Sequence, residues 1–217
     1  MRTALIAGAT GLVGSFLLQN LLEDPLYGQV KILVRKPLEI KHPRLVQQVV
    51  DYQKLDLADL SADDVYCCLG TTIKKAGSRE VFRKVDHDYP LALAQAALGA
   101  GARRFALVSA MGANARSRIF YNRVKGEVED ALRQLPLEVL CIMQPSLLLG
   151  PRKEYRIGEE VAKLLAPVMA LLMPANYKAI HASQVAAAMQ DTLKSASPGI
   201  HVVLSGQMQR WPVKKTI

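Results

Sequence analysis

Residues 4–22 read ALIAGATGLVGSFLLQNLL, nineteen positions without a charge. Arg2 stands just ahead of them, as a basic residue does at the front of a signal peptide. About twenty apolar residues also cross a bilayer as a helix. The glycines favour a third reading. Thr3 to Ala7 is a short apolar strand, and Gly8-Ala9-Thr10-Gly11-Leu12-Val13-Gly14 follows it as a GxxGxxG pattern. Leu12, Val13, Phe16, Leu17, Leu21 and Leu22 then recur at helical spacing. The stretch therefore reads as strand, glycine turn and helix. Gly8 permits a tight turn off the strand, Gly11 leaves room for a pyrophosphate at the backbone, and Gly14 lets the helix pack close. Free amides at the helix start suit phosphate oxygens.

Composition agrees with that reading. The chain has 217 residues, 50% hydrophobic and 22% charged, the proportions of a globular domain. One domain over residues 1–217 is expected, with a small substrate-side portion at about residues 151–217. No later segment reaches bilayer length, since the apolar run Leu164 to Met173 holds Pro167, so no membrane span is expected. Cys67, Cys68 and Cys141 form neither a disulfide framework nor a metal-ligand pattern. They point to a reducing, cytoplasmic location and to no metal. The net charge of +9 suits an anionic ligand, a nucleic acid, a membrane surface or simply a solvated basic surface. No aromatic RNA motif accompanies it, so nucleic acid is not expected.

The rest of the chain alternates strand and helix. Strands are expected at Gln29 to Arg35, Leu45 to Val50, Asp64 to Leu69, Arg104 to Ser109, Leu137 to Met143 and His201 to Leu204. Helices are expected at Arg79 to Leu98, capped by Ser78 and interrupted near Pro90, and at Ile119 to Gln134. Two more are expected at Ile157 to Leu172, kinked at Pro167, and at Gln184 to Lys194, capped by Ser183. This pattern predicts an α/β fold: a doubly wound, mostly parallel Rossmann sheet in three α/β/α layers. Ligands then bind at the carboxyl ends of the strands.

Two cations, Arg35 and Lys36, end the second strand, where an acidic residue would bind the ribose hydroxyls of NAD. They suit a 2′-phosphate instead, so NADPH (NADP) is expected over NAD. Asp51, after the third strand, either faces the adenine or begins a turn. Ser109 ends the fifth strand, and Tyr121 and Lys125 follow at i and i+4 on one helix face. A free tyrosine, with a pKa near about 10, is a poor acid–base group at neutral pH. A nearby ammonium and a positive nicotinamide ring favour its phenolate and suit it to proton transfer with a carbonyl oxygen. Ser109 is the candidate to orient that oxygen.

Gly8 to Gly14, Ser109, Tyr121 and Lys125 together resemble the short-chain dehydrogenase/reductase superfamily, in its atypical branch. The phrases VVDYQKL, CCLGTT, KKAGS, VDHDY, KGEVE and QPSLLLGPR are similar to the Tat-interacting-protein-like NAD(P)H-binding family. The similarity runs from Leu5 to about Arg152, with a weaker echo around Ile180 to Ala188. The resemblance implies a Rossmann fold that binds NADPH. It puts Leu69, Gly70 and Thr71 along the cofactor and Gln144, Pro145 and Ser146 beside the nicotinamide. Val85-Asp86 stands where many superfamily members carry an asparagine of the proton relay. The resemblance implies cofactor binding more firmly than turnover, because family members have regulatory as well as enzymatic roles.

The expected activity is NADPH-dependent oxidoreduction of a small carbonyl or hydroxyl compound. The other reading is an NADPH sensor that reports to a protein partner; a homodimer is also open. His181 is read as a capping or packing residue, and Cys67 and Cys68 as packing residues on opposite strand faces. Lys74, Lys75, Arg79, Arg83 and Lys84 either flank phosphates, steer an anionic substrate or face solvent.

Overall fold

The computed structural model describes residues 1–53, 59–150 and 174–213. The expected helix Ile157 to Leu172 and the apolar run Leu164 to Met173 lie outside these residues. The first strand, β1 (Arg2–Ala7), runs through the glycine turn into α1 (Leu12–Glu23). Next come β2 (Tyr27–Val34), β3 (Leu45–Val49) and β4 (Asp64–Cys67). Two short helices follow, α2 (Ile73–Ala76) and α3 (Arg79–Arg83), then α4 (Tyr89–Gly99). The order continues β5 (Arg104–Val108), α5 (Phe120–Arg133), β6 (Val139–Gln144) and β7 (Leu148–Leu149). It closes with β8 (Ile180–His181), α6 (Ala182–Ser195), β9 (Gly199–Leu204) and α7 (Ser205–Met208).

Seven strands form one sheet in the order β3-β2-β1-β4-β5-β6-β9, and every pair is parallel. The order reverses between β1 and β4, so a crevice opens there at the carboxyl ends of the strands. β7 and β8 form a separate parallel pair that was not expected.

Strand periodicity sorts the core onto two faces. Ala4, Ile6 and Tyr66 face α1 and α6, while Leu5, Ala7 and Val65 face α4 and α5. Cys67, the last residue of β4, and Cys68, just after it, divide between these faces, as adjacent residues of extended chain do. Burial pushes the Cys67 thiol up to about 12, which leaves it inert at neutral pH.

The amino ends of the strands hold a buried polar cluster. Asp64 accepts from Tyr27 Oη at 2.8 Å and Arg104 Nε at 2.8 Å, and Tyr27 meets Tyr66 at 2.8 Å. This end is the one opposite the crevice, and Arg2 and the Leu193 carbonyl complete the cluster.

The structure revises two helical expectations. The expected Arg79–Leu98 helix is continuous, but residues Lys84–Asp88 widen into a π turn, with the Tyr89 amide donating to the Lys84 carbonyl. Pro90 accounts for it: proline has no N–H to give, and its ring would crowd the carbonyl of Asp86 in a regular helix. The cap of α6 is His181 and not Ser183: its Nδ1 accepts from the Ser183 amide at 3.3 Å. Pairing of Ile180–His181 with β7 carries the strand right up to the helix, so Ser183 falls inside the first turn. The His181 ring also packs edge-on against Phe16, with centroids 5.6 Å apart.

Candidate active site

Gly8 has φ +86, and a Cβ there would lie 2.6 Å from the Cys68 carbonyl oxygen. A Cβ on Gly14 would lie 2.1 Å from the Gly8 carbonyl oxygen, so α1 rests directly on the turn. Gly11 is the N-cap of α1 and supplies no side-chain cap. Its own amide donates to the Gly8 carbonyl at 3.0 Å. The helix therefore begins with donors that no side chain satisfies, at the crevice between β1 and β4. Ala9 and Val13 are buried, Thr10 is exposed, and Leu12 packs under Gly150.

Arg35 and Lys36 are exposed at the exit of β2. The register pairs Val34 with Val49, which brings this exit beside Asp51. Asp51 does begin a turn: its Oδ1 accepts from the Gln53 amide at 2.9 Å. Tyr52 and Tyr89 stack beside it with centroids 5.5 Å apart, a pair that the sequence reading missed.

Leu69, Gly70 and Thr71 form the exit of β4. The Thr71 amide donates to Asp86 Oδ2 at 2.8 Å, and the other oxygen, Oδ1, pairs with Lys125 Nζ at 2.8 Å. Both side chains are buried. Burial works against the Lys125 charge, but Asp86 and Tyr121 outweigh it and hold its pKa above the ordinary value. Asp86 comes from the π turn, so the helical irregularity and the ion pair belong to the same few residues.

A cleft of about 540 Å³ opens at the strand exits. Its walls are Thr72 and Ile73 after β4, Ala110 and Met111 after β5, and Pro145, Ser146 and Leu147 after β6. Tyr121 lines it from the first turn of α5. Tyr121, Pro145 and Ser146 are thus brought together as expected residues of one cleft.

Ser109 and Gln144 are not among the residues lining it. The buried Ser109 hydroxyl donates to Glu129 Oε1, and Gln144 Nε2 donates to both Glu129 oxygens at 2.9 and 3.0 Å. Arg133 adds a fourth bond to Glu129 at 3.1 Å. In this arrangement the Ser109 donor is engaged by Glu129, and Ser109 is not among the residues that line the cleft. Ser146 takes a place in the cleft, but its hydroxyl donates to the Lys178 carbonyl and accepts from Ser205 at 2.9 Å.

Two positioning residues escaped the sequence reading. Glu129 stands one turn beyond Lys125 and fastens α5 to the exits of β5 and β6. Gly126 lets the chain from Ala110 to Ile119 cross α5, because a Cβ there would lie 2.1 Å from the Ala115 amide nitrogen. A glycine inside a helix costs about 1 kcal/mol relative to alanine, so its presence signals a close approach.

No helix among the described residues is long and apolar enough to cross a membrane. No cluster of three or more potential metal ligands occurs among them either.

The sequence profile matching residues 8–196 is described as NAD(P)H-binding. Over 214 residues the chain is 36% identical to Protein HTATIP2 of Rattus norvegicus, covering 96% of this chain and 85% of the rat protein. It is 36% identical over 171 residues to Protein FMP52, mitochondrial, of Eremothecium gossypii, covering 76% of each chain. Among solved structures, MoeE5 in complex with UDP-glucose and NAD superposes with a TM-score of 0.70 at 17% identity. That match covers 92% of this chain and 74% of MoeE5. A UDP-N-acetylglucosamine 4-epimerase from Methanobrevibacter ruminantium gives the same TM-score at 17% identity, over 94% of this chain and 76% of the epimerase. At that identity the likeness concerns the fold alone. A glycine turn that opens an uncapped helix, a seven-stranded parallel sheet and this degree of identity lead to one conclusion: the chain belongs to the NAD(P)H-binding family, in the group that contains HTATIP2 (TIP30) and FMP52.

Proposed function

We propose that the protein is an NADPH-dependent oxidoreductase acting on a small carbonyl or hydroxyl compound. One observation carries the reading: Tyr121, a proton-bearing side chain, lines a cleft at the carboxyl edge of a nicotinamide-binding sheet, one turn from the buried Lys125. The glycine turn and the uncapped start of α1 fit a pyrophosphate, since any Cβ at Gly14 would close the cradle. Arg35 and Lys36 would hold a 2′-phosphate, with the turn at Asp51 beside them. Leu69 to Thr71 and Pro145 to Ser146 would border the rest of the dinucleotide. When bound, the cofactor supplies the hydride.

The chain's own groups do the remaining work. Tyr121 gives the substrate oxygen its proton in reduction and takes it back in oxidation. Lys125, fixed by Asp86, keeps a positive charge next to Tyr121 and would help hold the cofactor when it is bound. Glu129 holds α5 against the strand exits, so Tyr121 and Lys125 stay in register with the cleft.

A second reading is an NADPH-binding regulatory protein with little turnover. It is favoured by the commitment of the Ser109 hydroxyl to Glu129, which removes a donor from the substrate oxygen. Three free cysteines suit a reducing compartment and support a cytosolic location; the FMP52 relative is named as mitochondrial, and cell fractionation distinguishes the two. Titration with NADPH and NADH, followed by NADPH oxidation across a panel of carbonyl compounds, tests both readings. Oxidation with one compound supports the enzyme; stoichiometric NADPH binding without oxidation supports the sensor.

A further inference from the structure

We propose that the cleft takes an amphiphilic anion, an apolar body with a carboxylate or phosphate head held by Arg79 and Arg123. This rests on the cleft being the substrate site. Both guanidinium groups lie against one ring: Arg79 Cζ is 5.2 Å and Arg123 Cζ 5.7 Å from the Phe120 centroid. Arg123 is steadied further by donating to the Ser117 carbonyl at 3.1 Å. Stacking on a ring orders a guanidinium and leaves its in-plane N–H groups for an anion.

Neither arginine forms an ion pair among the described residues. Elsewhere Arg2, Lys31, Arg104, Arg133 and Lys194 all meet carboxylates. The ring that carries the pair is linked to Tyr121 through Phe82. The buried Phe82 ring lies 5.7 Å from Phe120 and 5.5 Å from Tyr121.

The surrounding charge is one-sided. Residues 72–84 hold Lys74, Lys75, Arg79, Arg83 and Lys84 against Glu80 alone, and residues 110–123 hold Arg116, Arg118 and Arg123 with no acid. Of these cations, Arg83 is neutralised by Glu127. The cleft offers apolar surface: Ile73 is 41% and Leu147 45% exposed, and Ala110, Met111 and Pro145 line the same cleft. Apolar walls flanked by unpaired cations concentrate the field on an entering anion. An apolar chain covers Ile73 and Leu147 while its charged end reaches the arginine pair.

The test is calorimetric titration of the NADPH complex with octanoate, octyl phosphate and the uncharged octanamide. Octanoate or octyl phosphate should bind about tenfold or more tightly than octanamide, the effect of one charge-assisted hydrogen bond. Whichever anion binds more tightly identifies the head group as carboxylate or phosphate. The preference should shrink with added salt. It should vanish in Arg79→Gln with Arg123→Gln, while the protein stays folded and its NADPH and octanamide affinities stay unchanged. Equal binding of anions and amide, no binding of any of the three, or a preference that survives the double substitution overturns the proposal. Adsorption to phosphatidylserine vesicles without binding of the monomers also overturns it, in favour of a membrane surface. Anion preference in a protein that reduces no carbonyl compound would keep this site and remove the oxidoreductase. Reduction of neutral carbonyls with no anion preference would do the reverse.

Discussion

Lys125 Nζ and Asp86 Oδ1 are 2.8 Å apart, and neither side chain is more than 5% exposed. The pair joins α5 to the π turn, and through the Thr71 amide to the exit of β4. Breaking a buried pair strands the remaining charge at a cost of about 3–5 kcal/mol. Asp86→Asn should therefore lower stability by that order. Asp86→Asn combined with Lys125→Met should lose less than the two single changes summed, because no charge is left stranded. Denaturant unfolding of the four proteins checks this; strict additivity would mean that the two groups do not interact.

Gly11 and Gly14 should respond differently to the same substitution. Gly14→Ala drives a methyl against the Gly8 carbonyl, at 2.1 Å, and should destabilise the fold. Gly11→Ala places its methyl 3.2 Å from that oxygen, a contact a small shift relieves, so the fold should persist while NADPH affinity falls. Thermal unfolding and NADPH titration of both variants separate the effects. Equal Tm losses would contradict the assignment of Gly14 to packing and Gly11 to the phosphate approach.

Arg35 and Lys36 lie exposed beside the Asp51 turn, and neither forms an ion pair among the described residues. NADPH should bind more tightly than NADH. Arg35→Asp with Lys36→Ala should weaken NADPH about ten- to a hundred-fold, the loss of one charge-assisted bond, and leave NADH nearly unchanged. Titrations at one ionic strength decide it. Equal affinities in the unmodified protein would contradict NADPH preference.

Asp24 ties the end of α1 to α6. Burial opposes its charge, but hydrogen bonds from Lys194, the Leu26 amide and Gln190 outweigh burial and hold the carboxyl below its ordinary 3.8. A depressed folded-state pKa contributes stability above the unfolded value and loses it as pH falls through the folded value. The Tm gap between the protein and Asp24→Asn should be full above about pH 4 and close at lower pH. A gap that stays constant down to about pH 2 would show that the carboxylate charge plays no part.

What the sequence made legible was local. GxxGxxG after an apolar strand located the turn, and i, i+4 spacing located Tyr121 and Lys125, because both patterns depend on neighbours in the chain. The partner of Ser109 was not legible for a related reason. A residue that ends a strand can point to either side of the sheet, and Glu129, twenty residues later, decides which. Glu129 itself reads as a solvated helix residue. It is buried only because α5 lies across the exits of β5 and β6, a relationship between distant segments. Gly126 was the one missed residue with a local signal, a glycine inside an amphipathic helix.

Tyr121 in the cleft is the centre of the account, and its phenol oxygen is the single atom to remove. The direct measurement is NADPH oxidation by Tyr121→Phe and by the unmodified protein, with a compound the latter reduces and under conditions where chemistry limits the rate. NADPH affinity and Tm should be unchanged, with kcat lower by about 10²- to 10⁴-fold, the contribution of a positioned proton donor. A folded Tyr121→Phe protein that binds NADPH and turns over at the original rate would contradict it.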